Sequence, residues 1–275
     1  MKTNIVTIAA ALTVALIAGC GGSGSTPATT TALSGNVADG YLVGATVFLD
    51  KNVNYQLDAG EPTTVTGENG AYTLNVDPAD VGKYPIVAMA IQGQTIDMDS
   101  PDVTVASSYI LCLPARAVSG TVNSNFISPM STLIREKLEA NPDMTLTEAM
   151  TQLRTQMNLA AATDMMGDYV AGSGQGMMNA AQYQAMHTIA QQMAGIMAGQ
   201  SALVMNGTAV NQNHYRSMMG MINRDMSVIT ANATDSTFMT GMRNQMQTQL
   251  RNMQMNGGFA NYSGMFRNMT SHSNL

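Results

Sequence analysis

The chain has 275 residues, 45% of them hydrophobic, and carries 18 acidic against 12 basic side chains for a net charge of −6. Such an acidic balance argues against nucleic-acid binding, which calls for a basic surface. Two cysteines are too few for a disulfide framework, and no apolar run reaches the roughly 20 residues of a membrane-spanning helix.

The N-terminus reads Met1-Lys2, then an apolar run from Ile5 to Ile17, then Ala18-Gly19-Cys20. A short basic start, about a dozen apolar residues and small residues before a cut describe a secretory signal peptide over residues 1–19. Ile17-Ala18-Gly19-Cys20 resembles the lipobox of bacterial lipoproteins. The resemblance implies lipid attachment at Cys20 and a membrane held through that lipid. Gly21 stands where Asp would favour inner-membrane retention, so the expected location is the outer membrane, periplasmic or surface-exposed. Residues 20–32 are small, polar and uncharged and read as a flexible tether. With Cys20 lipidated, Cys112 is a lone thiol in the apolar run Tyr109 to Leu113, which predicts a buried, inert cysteine.

Two parts follow, with different chemistry. From Leu33 to Gly120 there are ten Asp or Glu and three Lys or Arg, whereas Asn123 onward carries eight of each. The second part also holds 23 of the 26 methionines. A boundary is expected near residues 120–125, giving a β part over 33–122 and a helical part over 126–255.

In the first part, short β-rich runs recur at Tyr41 to Leu49, Thr63 to Thr66, Ala71 to Val76, Pro85 to Ile91, Val103 to Val105 and Tyr109 to Leu113. Their spacing predicts a small sandwich. Between the first two lies Asp50 to Glu61, with oxygen-bearing side chains at Asp50, Asn52, Asn54, Asp58 and Glu61. These are positions 1, 3, 5, 9 and 12 of a twelve-residue loop, and Gln56 at position 7 offers its backbone carbonyl. That is the ligand spacing of an EF-hand-type calcium loop, closed by a glutamate able to bind through both oxygens. Position 6 departs from the pattern, with Tyr55 where such loops carry glycine.

The order Val37-Ala38-Asp39-Gly40-Tyr41, then the loop, then Gly67-Glu68-Asn69-Gly70-Ala71-Tyr72 resembles the calcium-binding B-type repeats of bacterial serine–aspartate adhesins. It is also similar to carboxypeptidase-regulatory-like domains. The resemblance spans roughly Leu33 to Val76. It implies an immunoglobulin-like β-sandwich stiffened by calcium, with Asp50, Asn52, Asn54, Gln56, Asp58 and Glu61 as ligands.

The second part reads as α. Ser128-Pro129 starts a helix that stops at Asn141-Pro142. Thr145 to Glu148 has a capping-box pattern opening a second helix to about Leu159. Gly172 to Gly176 reads as a flexible break. Three further helices are predicted over 179–199, 211–231 and 236–255. Each has one apolar stripe, for example Tyr183, Met186, Ala190, Met193 and Met197. Together they predict an antiparallel, Met-rich bundle, with residues 256–275 a loose tail.

Methionines at stripe positions pack a core as leucines would. Their thioethers also select Cu(I), so a periplasmic copper-handling protein is the alternative function, with Met218, Met219 and Met221 as its main cluster. His187, His214 and His272 share no zinc spacing. The Glu136/Glu139 and Asp164/Asp168 pairs read as solvated surface carboxylates. No nucleophile elbow, phosphate loop or dinucleotide fingerprint is present, and a dispersed catalytic set in a groove between the two parts would need a convergent polar lining, for example His187 with Asp168. The expectation is a non-catalytic envelope protein in which a calcium-binding β module presents a helical binding domain to a protein or peptide partner.

Overall fold

A computed structural model describes residues 29–122 and 124–256. The expected signal peptide, Cys20, the expected tether up to residue 28 and the expected loose tail beyond Asn256 lie outside the described residues. Eight strands come first: β1 (Thr31–Asn36), β2 (Leu42–Val43), β3 (Thr46–Leu49), β4 (Thr63–Val65), β5 (Ala71–Val76), β6 (Ile86–Ala90), β7 (Ile96–Asp97) and β8 (Tyr109–Leu113). Then come α1 (Pro129–Ala140), α2 (Leu146–Gln156), α3 (Tyr169–Gly172), α4 (Ala180–Gly199) and α5 (Ser201–Val204). A hairpin of β9 (Met205–Asn206) and β10 (Ala209–Val210) leads to α6 (Gln212–Arg224), α7 (Met226–Ala231) and α8 (Ser236–Asn256).

The β part is built from small antiparallel sheets. A four-stranded sheet has the order β4-β3-β6-β8, and β1 pairs with β5 and β2 with β7 in separate ladders. Every residue of β6 and β8 is buried, which is why both read as unbroken apolar runs. β5 alternates instead, turning Tyr72, Leu74 and Val76 inward. The Asn69-Gly70 turn does not close a hairpin between its flanking strands. Both residues adopt left-handed angles, and the chain passes from β4, paired with β3, to β5, paired with β1. Gly70 is required there, because a Cβ would lie 2.2 Å from the Val37 carbonyl oxygen.

Several expectations shift by local chemistry. β1 starts at Thr31 and pairs Thr31 with Val76, so the end of the tether expected over 20–32 is a strand. The stretch Val103 to Val105 is no strand; Val103 is exposed, and one isolated bridge joins Thr104 to Ile96. The helix expected over 211–231 is two helices, separated at Asp225, whose backbone (φ −96, ψ 9) leaves the helical region. Helix α1 begins as predicted, with Ser128 capping the backbone N–H of Ser131 and Pro129 in the first turn. Helix α2 carries the predicted Thr145–Glu148 capping box.

One hydrophobic core runs through both parts, from Leu33 in β1 to Leu250 in α8. Helix α1 lies against β8 and covers its edge. Thr132 Oγ1 accepts the Cys112 N–H at 2.8 Å, and Ser131 Oγ donates to the Cys112 carbonyl at 2.7 Å. Two helical hydroxyls thus satisfy an edge that would otherwise invite strand pairing. Consequently α1 is buried on nearly all sides, including Arg135, Glu136 and Lys137. Among the described residues no helix is long and apolar enough to cross a membrane.

Candidate metal centre

The loop leaves β3 at Asp50 and returns at Glu61. Asp50 is fully buried and organises the first turn: Oδ1 accepts the Asn54 N–H at 2.9 Å and Oδ2 accepts the Tyr55 N–H at 3.1 Å. Asn54 repeats the motif, its Oδ1 accepting the Gln56 N–H at 2.8 Å. Glu61 closes the loop from the other end, with Oε1 on the Lys51 N–H at 2.7 Å and Oε2 on the Asp58 N–H at 3.0 Å. Between them, the Asn52 and Asn54 amides both donate to Asp58 Oδ2, at 2.7 and 2.8 Å. These two bonds hold the Asp58 carboxyl below the usual carboxylate range.

The donor set suits a hard divalent cation: it is all oxygen, and Asn52, Asn54 and Asp58 converge on one point. Turning the Asn52 amide over replaces its NH₂ by a carbonyl oxygen at that point, whereas Asn54 is held in its present orientation by the Gln56 N–H on its Oδ1. Asp50 fits less freely, because Arg135 Nη2 also lies 3.1 Å from its Oδ2. The loop carboxylates themselves do not gather, and among the described residues no three His, Cys, Asp or Glu side chains are grouped as metal ligands. Convergence therefore comes from the amides around Asp58, with Glu61 and the Gln56 carbonyl alongside in sequence.

The departure at position 6 has a physical reason. Tyr55 takes φ +66, the left-handed geometry for which glycine is the usual choice, and Val53 takes φ +59. Its side chain is fully buried between α1 and α6. The ring lies 4.8 Å from the Tyr215 ring, with the Arg135 guanidinium 4.1 Å above its centre. The phenol donates to Glu136 Oε1 at 2.6 Å and accepts from Arg216 Nε at 3.0 Å. Arg216 also pairs with Glu139. Gln212 Nε2 donates to the Val53 carbonyl at 3.0 Å. The loop is thus plugged into the helical part by its own apex.

Glu136 is therefore no solvated surface carboxylate. It is 2% exposed, and burial, with Glu139 next to it, pushes its carboxyl up to about 7. Its neighbour Lys137 is pushed down to about 8 by burial, and its Nζ has no hydrogen-bond partner among the described residues. Sequence reasoning missed this buried cluster of Tyr55, Arg135, Glu136, Tyr215 and Arg216. One signal was available: an aromatic ring at a position that wants glycine must be held by something.

The other candidates separate. Met218, Met219 and Met221 are each at most 1% exposed within the apolar core, as packing residues. Cys112 is buried, its Sγ 3.9 Å from the Tyr215 hydroxyl, and burial pushes its thiol up to about 12, as an inert cysteine requires. His187 does not meet Asp168. Its Nε2 lies 2.8 Å from Asp99 Oδ2, whereas Asp168 caps α3 and accepts the Tyr41 hydroxyl at 2.7 Å. His214 Nδ1 lies 2.6 Å from the Leu203 carbonyl, and His272 lies outside the described residues. No protein-family model, no curated protein and no solved structure matches this chain.

Proposed function

We propose that this chain is a non-catalytic, lipid-anchored protein of the bacterial cell envelope, held through Cys20, at the outer membrane. Its loop Asp50 to Glu61 takes calcium and fixes an immunoglobulin-like β-sandwich against a Met-rich helical bundle that presents a binding surface. The single observation that carries the calcium role is the convergence of Asn52, Asn54 and Asp58 inside a loop whose apex, Tyr55, docks between α1 and α6. A loop whose shape is set by a cation would in that position set the joint between the two parts.

Bound calcium supplies a positive charge that draws carbonyl and carboxylate oxygens to one centre. The chain's own residues do the rest. Asn52, Asn54 and Asp58 already face one another, Glu61 ties the two ends of the loop, and Asp50 transmits its position to Arg135 on α1. Holding Tyr55 in its left-handed conformation then holds the phenol on Glu136 and Arg216. Because a ligand of the folded form stabilises it by RT ln(1 + [L]/Kd), calcium at ten times Kd adds about 1.4 kcal/mol.

Calorimetric titration of the EDTA-treated chain with calcium tests this. One site, lost in Glu61→Ala and in Asp58→Ala, is the expected result. With one continuous core, calcium should raise a single melting transition of the whole chain. No heat and no change in melting at about 10 mM calcium, well above the extracellular range, would reduce the loop to a turn. Palmitate labelling that persists in Cys20→Ser would remove the anchor from the proposal.

A further inference from the structure

A second site lies away from the calcium loop. A cavity of about 380 Å³ opens between the strand β7, the segment after it, β8 and α4. Its walls include Val105, Ala194 and Ala198, and Asp39, Asp97 and Tyr109 supply its polar side. The size falls in the range of small-molecule sites, and so does the mixture of apolar wall with a few convergent polar groups.

Asp39 is the informative residue. It is 4% exposed, and its Oδ2 accepts the Tyr109 hydroxyl at 2.9 Å. Its Oδ1 is buried and has no hydrogen-bond partner among the described residues. A buried carboxylate oxygen without a donor is costly and rare in folded chains. Burial, then the nearby charge of Asp97, push the Asp39 carboxyl well above its ordinary range. Asp97 is itself raised by burial. Asp97 and Asp99 press close to the backbone of Gly40, the residue after Asp39, since a Cβ there would lie 2.3 Å from Asp97 Oδ1 and 2.6 Å from Asp99 Oδ2. Asp99 is already engaged by His187 and Gln191, both at 2.8 Å. Asp97 Oδ1 accepts the Asp99 N–H at 3.0 Å, with His187 nearby on Asp99, which leaves Asp39 as the cavity carboxylate with an oxygen that lacks a donor.

We propose that the cavity binds a small organic cation, a primary ammonium on a short alkyl body. A turn of the Asp39 carboxyl brings Oδ1 to the ammonium N–H groups, which supply the donor that oxygen lacks and offset the charge of Asp39 and Asp97. Its alkyl part lies along Val105, Ala194 and Ala198. A bare metal ion suits the place less well, because the wall is apolar and no ligand trio is gathered there. The site is independent of the calcium loop.

The probe is butylammonium chloride, titrated by calorimetry into the full chain in detergent with EDTA present, so that the calcium loop takes no part. Saturable one-site binding is expected, with 1-butanol giving none. Asp39→Asn, which keeps the shape and removes the charge, should weaken binding at least about tenfold, the size of a lost charge-assisted hydrogen bond. Ala198→Leu fills the wall, leaves both carboxylates in place and should abolish binding. It decides the question should Asp39→Asn fail to fold. Equal binding of butanol and butylammonium, unchanged affinity in Ala198→Leu, or no saturation by about 10 mM, a weak-binding limit, would each overturn the proposal. So would displacement of butylammonium by calcium in the EDTA-free Glu61→Ala chain.

Discussion

Replacing Tyr55 by glycine sets two effects against each other. Glycine relieves the left-handed backbone at φ +66, which costs an ordinary residue about 1–2 kcal/mol. It also deletes a fully buried ring packed on Tyr215 and under Arg135. Deleting a large buried aromatic costs about 3–5 kcal/mol. Glycine further loosens the unfolded chain, adding about 0.5–1 kcal/mol to the loss. Packing therefore wins, and Tyr55→Gly should lose about 2–5 kcal/mol of stability. Urea unfolding followed by circular dichroism, with calcium and after EDTA, measures it. Tyr55→Phe keeps the ring, removes the bonds to Glu136 and Arg216, and should cost about 1–3 kcal/mol. Calcium should still stabilise Tyr55→Gly, because the proposed ligand residues are untouched and position 6 becomes the usual glycine. A Tyr55→Gly chain as stable as the parent would refute the reasoning that the ring anchors the loop.

Two further outcomes follow from the same cluster. Arg135→Met leaves Asp50 buried without its ionic partner and should cost about 3–5 kcal/mol in denaturant unfolding; a loss below 1 kcal/mol, about the value of an exposed pair, would mean that the pair is open to water. Stability should also pass through a minimum near neutral pH. Glu136, shifted from 4.5 to about 7, keeps its proton in the folded chain after the unfolded chain has released it, so stability falls as pH rises through that window. Lys137, shifted from 10.5 to about 8, has released its proton while the unfolded chain still holds it, so stability rises as pH climbs from about 8 to 10.5. Glu136→Gln should flatten the acid-side slope, and an unchanged slope would assign it to other groups, such as Asp39, which acts with the same sign.

What could be read in the sequence was what local chemistry dictates. Ser128-Pro129 and Thr145 to Glu148 open helices wherever they stand, because the caps need residues three positions away and nothing else. The buried runs of β6 and β8 announced themselves by composition. β1 did not, because Thr31 and Ala32 close a small polar stretch and become strand through pairing with a partner distant in the chain. Glu136 and Arg135 looked like the wet face of a helix. They are buried because α1 is enclosed by β8 on one side and α6 on another, a fact of assembly that no periodicity records. In the loop, the spacing of Asn52, Asn54 and Asp58 foretold their convergence. The tie from Asp50 to Arg135 spans 85 residues and was invisible.

That separation bears on how the chain acquires its shape. The sheet β4-β3-β6-β8 cannot bury β8 until α1 has been made, and Tyr55 has no socket before Tyr215 and Arg216 exist. A chain emerging from its N-terminus holds an open, apolar sheet and an undocked loop for most of its passage. Closure then depends on long-range contacts, which slow folding and leave the intermediate prone to aggregation. Once closed, the two parts should unfold in one step, since neither retains a complete core without the other.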